Sequence, residues 1–136
     1  MPIRPELRRF YGREWRHVIR PRILARAGNR CEECHAPDRG PVERGWAGKW
    51  RYRGCAYTGP WRDNEGYATS APDLSSCRIV RIVLTVAHLN HTPGDDRDEN
   101  LKALCQWCHL NYDKLHHKES RSIRKDQARP LLREAV

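Results

Sequence analysis

Residues 78 to 109 read RIVRIVLTVAHLNHTPGDDRDENLKALCQWCH, an apolar run that turns polar at a histidine and ends on a pair of thiols. The stretch from Arg78 to Leu89 is dense in β-branched residues and is the strongest strand signal in the chain. In a continuing strand His88 and Asn90 point to one side, and Ala87, Leu89 and His91 to the other. Thr92-Pro93-Gly94 breaks the strand, and the acidic loop Asp95-Asp96-Arg97-Asp98-Glu99 leads to Asn100. From Leu101 to about His117 the spacing predicts a helix. If the acidic loop brings the chain back antiparallel before that helix, the product is a β-hairpin followed by a helix, with the strand-end histidines, Asn100 and His109 converging.

Working outward, the six cysteines divide by spacing. Cys31-Glu32-Glu33-Cys34 and Cys105-Gln106-Trp107-Cys108 are two C-x-x-C knuckles, together offering the four sulfurs of a structural Zn²⁺ site. An ion shared across so long a separation ties distant parts of the chain together. The competing readings are disulfides or separate thiol pairs, which a reducing compartment disfavours, and a haem attachment at Cys105-x-x-Cys108-His109. Cys55 and Cys77 lack such partners and read as buried or incidental thiols.

Upstream, Leu7, Phe10, Tyr11, Trp15, Val18, Ile19, Ile23 and Leu24 fall mostly three or four apart. This spacing predicts one or two short amphipathic helices over residues 5 to 30, interrupted near Pro21 and ended at Gly28-Asn29. Residues 36 to 76 hold six Gly, four Pro and six aromatics. They read as turns and short surface strands with a small aromatic core of their own. Three segments follow: a basic helical segment (1–30), a zinc-bound domain (31–117, with 36–76 as an insertion) and a basic tail (118–136).

Charge is distributed unevenly along the 136 residues, whose formal total is +9. The first thirty residues carry nine Arg and two Glu, the middle eleven bases and twelve acids, and the last nineteen six bases and three acids. Basic ends around a neutral middle are the sequence footprint of phosphate-backbone binding, and arginine without lysine before Cys31 favours bidentate phosphate contacts. Arg13, Arg16, Arg20, Arg22, Arg26, Arg121, Arg124 and Lys125 are the expected nucleic-acid contacts. A solvated basic surface that merely aids solubility is the alternative. Mean hydropathy is −0.90 and no apolar run reaches the ~20 residues of a membrane span. No membrane partner and a cytoplasmic setting are expected.

Five of the seven histidines lie between positions 88 and 117, close to Asn90, Asn100 and Asp113. Taken singly they read as ordinary imidazoles; together they suggest metal binding or proton transfer. The runs Val86-Ala87-His88-Leu89-Asn90-His91, Glu99-Asn100-Leu101 and Leu104-Cys105-Gln106-Trp107-Cys108-His109, with Cys31 and Cys34 upstream, resemble the HNH endonucleases, especially the small zinc-containing type of phages and mobile elements. The resemblance covers roughly residues 25 to 117 outside the insertion. It implies an α+β, zinc-stapled domain with a ββα-metal (His-Me finger) core, N-terminal helices and an irregular insertion. The implied activity is hydrolysis of DNA phosphodiester bonds, most simply in duplex DNA, in host cytoplasm if phage-encoded and beside a possible phage or mobile-element partner protein.

The same resemblance implies roles for individual residues. His88 would be the general base, Asn100 would brace the hairpin, and His109 would bind a catalytic divalent cation, Mg²⁺ or Mn²⁺ with Zn²⁺ or Ni²⁺ as further possibilities. The family usually has Asp or His where Ala87 stands, and a methyl group binds no cation. His91 is the first substitute ligand, with Asn90 and Asp113 behind it. A second register makes His91 the base and Asn90 the ligand before it. A zinc-stapled DNA-binding or assembly module without catalysis is the alternative function.

Overall fold

The computed structural model describes residues 3–127, with side chains given for all of these but 115, 120 and 123–127. Two small antiparallel sheets share one core. Pro41–Arg44 (β1), Trp50–Tyr52 (β2) and Arg78–Arg81 (β3) form a three-stranded sheet in the order β2-β1-β3. Thr85–His88 (β4) and Leu101–Leu104 (β5) form a two-stranded one, and Gln106–Gln127 (α2) follows directly. The chain is thus a small mixed helix-and-sheet domain. No helix among the described residues is long and apolar enough to cross a membrane.

The expected single strand over 78–89 is instead divided between the two sheets. Ile82, Val83 and Leu84 carry the chain across, held by bonds from Ile82 N to the Gly40 carbonyl at 3.0 Å, Val83 N to Gln106 Oε1 at 3.1 Å and Leu84 N to Asp38 Oδ1 at 3.1 Å. Turn and side-chain acceptors thus satisfy amides that a continuous ladder would have taken. Burial alternates from Arg81 to Val86, but the buried residues change face at the break: Ile82 and Leu84 join the cysteine core, Val86 the opposite side. The residues Leu101–Leu104, read as the start of a helix, are strand β5, paired with β4 from Thr85↔Leu104 to His88↔Leu101. Their apolar side chains pack on both faces of a sheet, a burial that short apolar runs satisfy equally well as strand or helix. The helix starts at Gln106 and passes position 118 without a break.

At the N-terminus, a 3-10 segment Pro5–Tyr11 precedes a π-helical turn Trp15–Ile19, which leads into Arg20–Arg26 (α1) with Pro21 in its first turn. The wide turn closes through Arg20 N to the Trp15 carbonyl. Gly28 and Asn29 end α1 with positive φ of 64° and 55°, the left-handed conformation that glycine and asparagine tolerate best. The segment has no core of its own. Trp15, Ile19 and Ile23 pack with Val86, Leu101 and Ala103 on one face of the β4–β5 sheet. On the other face Ala87 and Leu104 join the four knuckle cysteines, Val42, Trp50, Ile82 and Leu84.

The insertion is more ordered than its composition suggests. It supplies β1 and β2, and Trp50 enters the cysteine core with its indole N–H donated to the Cys34 carbonyl at 2.9 Å. Trp61 is buried beneath the Arg51 guanidinium, while Trp46, Tyr57 and Tyr67 stay exposed.

Candidate functional site

The first site is the thiol cluster. Cys31, Cys34, Cys105 and Cys108 are buried, unbridged by disulfides, and their sulfurs all lie within 4.8 Å of one another. Four sulfurs at about 2.3 Å from a tetrahedral ion stand about 3.8 Å apart, and Cys34 Sγ and Cys105 Sγ are separated by 3.7 Å across 71 positions of sequence. A disulfide would need about 2.05 Å. The tetrad is therefore a buried set that could bind a structural metal such as zinc. Backbone bonds hold both knuckles in shape: Cys31 N reaches the Ala36 carbonyl and His109 N the Cys105 carbonyl, each at 2.9 Å. The first knuckle is fastened to β5 as well, because Glu32 N donates to the Ala103 carbonyl at 2.9 Å and Glu32 Oε2 accepts from Ala103 N at 3.2 Å.

The four sulfurs are close enough to share protons. Hydrogen bonds from Cys105, then from Cys108 and Cys34, hold the Cys31 thiol far below its ordinary range, and contact with Cys105 pushes Cys34 and Cys108 far above theirs. Cys105 is likewise lowered, to about 6, first by its hydrogen bond with Cys108, so two of the sulfurs draw on the S–H groups of the other two. Val42 and Arg44 share a face of β1, and Arg44 NH2 lies 3.6 Å from both Cys34 Sγ and Cys105 Sγ. Burial alone would lower its pKa; the charge of Cys105 first, and then the contact with the Cys34 sulfur, outweigh this and hold it above the ordinary value. Arg44 Nε and NH1 are buried without a partner, a cost that a doubly negative tetrathiolate–zinc group nearby would offset.

The second site lies along the first turns of α2. His109 and Asp113 are one turn apart on the helix, and Asp113 receives an imidazole on each oxygen: His91 Nε2 lies 2.8 Å from Oδ1 and His109 Nε2 lies 3.0 Å from Oδ2. His109 Nδ1 in turn lies 2.8 Å from Thr85 Oγ1, which lies 3.4 Å from the Leu104 carbonyl. When the threonine hydrogen is directed to that carbonyl, Nδ1–H donates to Oγ1 and the lone pair of Nε2 faces the carboxylate. In the other tautomer the threonine hydroxyl donates to Nδ1 and Nε2 carries its proton toward the carboxylate, so the contacts close without an ion. Among the described residues, however, only the cysteines bring all their ligand atoms within 4.8 Å; Asp113 bridges the two histidines.

The loop from 89 to 97 delivers His91 to this point. Asn100 is buried at the end of the acidic loop. Its Oδ1 accepts from Asn90 N at 3.1 Å, and its Nδ2 donates to Asn90 Oδ1 at 3.0 Å and the Asp95 carbonyl at 2.8 Å. Asn90 Oδ1 also receives Thr92 N, and Asn90 Nδ2 donates to Asp95 Oδ2. Strand β4 ends at His88, so the expected continuation of the pleat to Asn90 and His91 is replaced by this turn. His91 carries a positive φ of 56°, uncommon for a side chain of its size. Its ring stacks 4.0 Å from that of His116 and 5.5 Å from that of Tyr112, whose hydroxyl donates to the Leu89 carbonyl.

His88 is held elsewhere. It lies three residues beyond Thr85 and therefore on the opposite face of β4. There it stacks on Trp15 at 5.2 Å, with Nε2 2.8 Å from Asp96 Oδ1. Its side chain is 5% exposed, that of His91 27%. The fold thus brings together His91, His109 and Asp113, with Asn90 and Asn100 building the loop behind them, and keeps His88 on the far side. Ala87 is packed into the cysteine core.

Of the expected nucleic-acid contacts, Arg13 and Arg16 are exposed. Arg22 is paired with Asp98 and Arg26 with Glu32, Arg26 also donating to the Leu101 and Asp98 carbonyls. Arg20 donates to the Leu84 carbonyl. Arg121 is exposed on α2; the side chains at 124 and 125 lie outside the described residues. Sequence reasoning overlooked Arg44, Trp15, Thr85 and Asp96. Arg44 is two residues from buried Val42, a signal usable only once β1 is known. Asp96 is hidden among charges that read as a solvated loop.

No protein-family model matches the chain, and neither the curated proteins nor the solved structures contain a significant match to it.

Proposed function

We propose that the protein is a metal-dependent endonuclease of the HNH kind, with a ββα-metal core formed by β4, β5 and α2, hydrolysing phosphodiester bonds of DNA. The observation that carries this reading is the shared carboxylate: Asp113 receives His91 and His109 on its two oxygens, at the surface and beside a thiol tetrad suited to a structural zinc. His109 and Asp113, one turn apart on a rigid helix, are the residues that would hold a divalent cation. Such an ion supplies Lewis acidity toward the scissile phosphate and the departing oxygen. His91 is the group that takes the proton of the attacking water, since imidazole as a class serves as a base near neutrality. Asp113 orients that ring, and Asn100 supports the loop that presents it. His91 is favoured over His88 in this role because its side chain is 27% exposed, against 5% for His88 under Trp15. Arg13, Arg16 and Arg121 are the exposed cations that would meet the phosphate backbone.

Relaxation of supercoiled plasmid tests the reading. Nicking is expected with Mg²⁺ or Mn²⁺ and is expected to stop when that ion is chelated. His91→Ala and His109→Ala should each abolish it while zinc stays at about one per chain. Wild-type protein that binds DNA yet cuts with no divalent ion overturns the enzyme and leaves a zinc-stapled DNA-binding module. Loss of cutting in His88→Ala, with His91→Ala active, would return the base to His88.

A further inference from the structure

Arg20 from α1, Arg39 from the turn before β1, and Arg81 at the end of β3 line one cleft of about 750 Å³, with Asp38 and Val83 among its other walls. None of the three arginines has a salt bridge among the described residues. Asp38 is the one acid in the lining, and its Oδ1 is occupied by Leu84 N at 3.1 Å. The arginines are presented by fixed backbone. Arg39 has a positive φ of 59° and donates its N–H to the Ile82 carbonyl at 2.7 Å. The Arg81 carbonyl accepts from Gln106 Nε2 at 2.8 Å. Arg20 donates through NH2 to the Leu84 carbonyl at 3.2 Å, leaving its other donors for a ligand. Three arginines lining one cleft with a single, partly occupied carboxylate offer the donors for a doubly hydrogen-bonded oxyanion.

The cleft lies close along the chain to the histidine group. Arg81 and Val83 line the cleft, and Thr85, the exposed first residue of β4, follows two residues after Val83. Thr85 is the residue hydrogen-bonded to His109. Four residues of extended chain span at most about 14 Å, which puts the cleft within a few nucleotides of a phosphate at the histidines, at about 3.4 Å per nucleotide along one strand. We propose that the Arg20–Arg39–Arg81 cleft anchors a backbone phosphate of duplex DNA near the cut, and so sets where the strand crosses the His91–Asp113–His109 group. This rests on the nuclease reading and adds to it, because Arg39 and Arg81 come from the part of the chain whose charges nearly cancel.

The test measures binding of the full chain to a random-sequence duplex between about 50 and 200 mM salt, with cleavage prevented by His109→Ala. Arg39→Gln/Arg81→Gln in that background should weaken binding and make the slope of log affinity against log salt shallower by about 0.9 for each phosphate that is no longer neutralised. The same charge removed at Arg53, just after β2, and at Arg78, the first residue of β3, should change the slope less. An unchanged slope in the cleft variant, with DNA still bound, overturns the cleft and leaves the nuclease reading intact. Equal reductions in both variants also overturn it, since only total charge would then matter. If the His109→Ala protein binds no duplex even at the lowest salt, the DNA reading and the cleft fall together. Zinc content and melting temperature equal to those of the parent show that the cleft variant is folded.

Discussion

Replacing Asn100 by alanine removes three hydrogen bonds from a buried position. Two main-chain groups lose their partner: the Asn90 amide and the Asp95 carbonyl. Asn90 Oδ1 keeps the Thr92 amide. Each orphaned group costs about 1–3 kcal/mol when it stays out of water. The loop is partly open to solvent, so a total of about 3 kcal/mol is expected, against a native stability on the order of 5–15 kcal/mol. At about 4 °C per kcal/mol for a chain of this size, the melting midpoint should fall by about 12 °C. Asn100→Asp should be no better. One carboxylate oxygen can still accept from Asn90 N, but the other then faces the Asn90 side-chain oxygen and the Asp95 carbonyl. Calorimetry of the two variants beside the wild type, with zinc measured in each, is the assay. Zinc should remain, because the tetrad is built from other segments. A midpoint within about 2 °C of wild type, the size of an ordinary surface change, would refute the bracing argument.

Chelation strong enough to strip the thiol tetrad, or Cys105→Ser, should unfold the domain, because a structural zinc contributes on the order of 10 kcal/mol of binding free energy that is also folding free energy; circular dichroism recorded alongside metal analysis checks this. Trp15→Ala should cost about 3–5 kcal/mol through the cavity it leaves between the π-helical turn and β4, and solvent should then reach His88; a urea midpoint unchanged by the mutation would count against the packing described. The Asp95 carboxyl should titrate at about 2, held down first by its hydrogen bond from Arg97 and further by that from Asn90. Because the folded value is depressed, the contribution is present above the ordinary carboxylate range and lost as pH falls toward about 2; carbon-13 NMR reads the midpoint, and Arg97→Gln should raise it.

The thiol tetrad was legible because C-x-x-C spacing is local chemistry: two knuckles name their ligands before any strand is placed. The hairpin and helix were legible in outline, since Thr92-Pro93-Gly94 and the acid run mark a turn whatever surrounds them. The assignment of strand to sheet was not. Nothing between Arg78 and Leu89 announces that Gly40, Asp38 and Gln106 will capture three successive amides and divide the run between two sheets. For the histidines, alternation carried as far as His88 and then failed, because the Asn100–Asn90 bonds turn the chain and aim His91 by a left-handed backbone rather than by the pleat. Trp15 could be read as apolar, but its stacking on His88 depends on a π-helical turn that no periodicity encodes. The insertion misled for a related reason: Gly and Pro mark its turns truthfully, yet Val42 and Trp50 lie in strands too short to show a pattern.

Glu32 occupies both main-chain groups of Ala103, N–H and carbonyl alike. Ala103 sits opposite Val86 in β5, so the groups Glu32 takes are the ones aimed away from β4. The rim of the smaller sheet is therefore plugged midway by an acidic side chain. Strand addition by a second molecule, the usual hazard of an open rim, would have to displace both bonds and a carboxylate. The knuckle that contributes half of the thiol tetrad thus also guards the hairpin against aggregation.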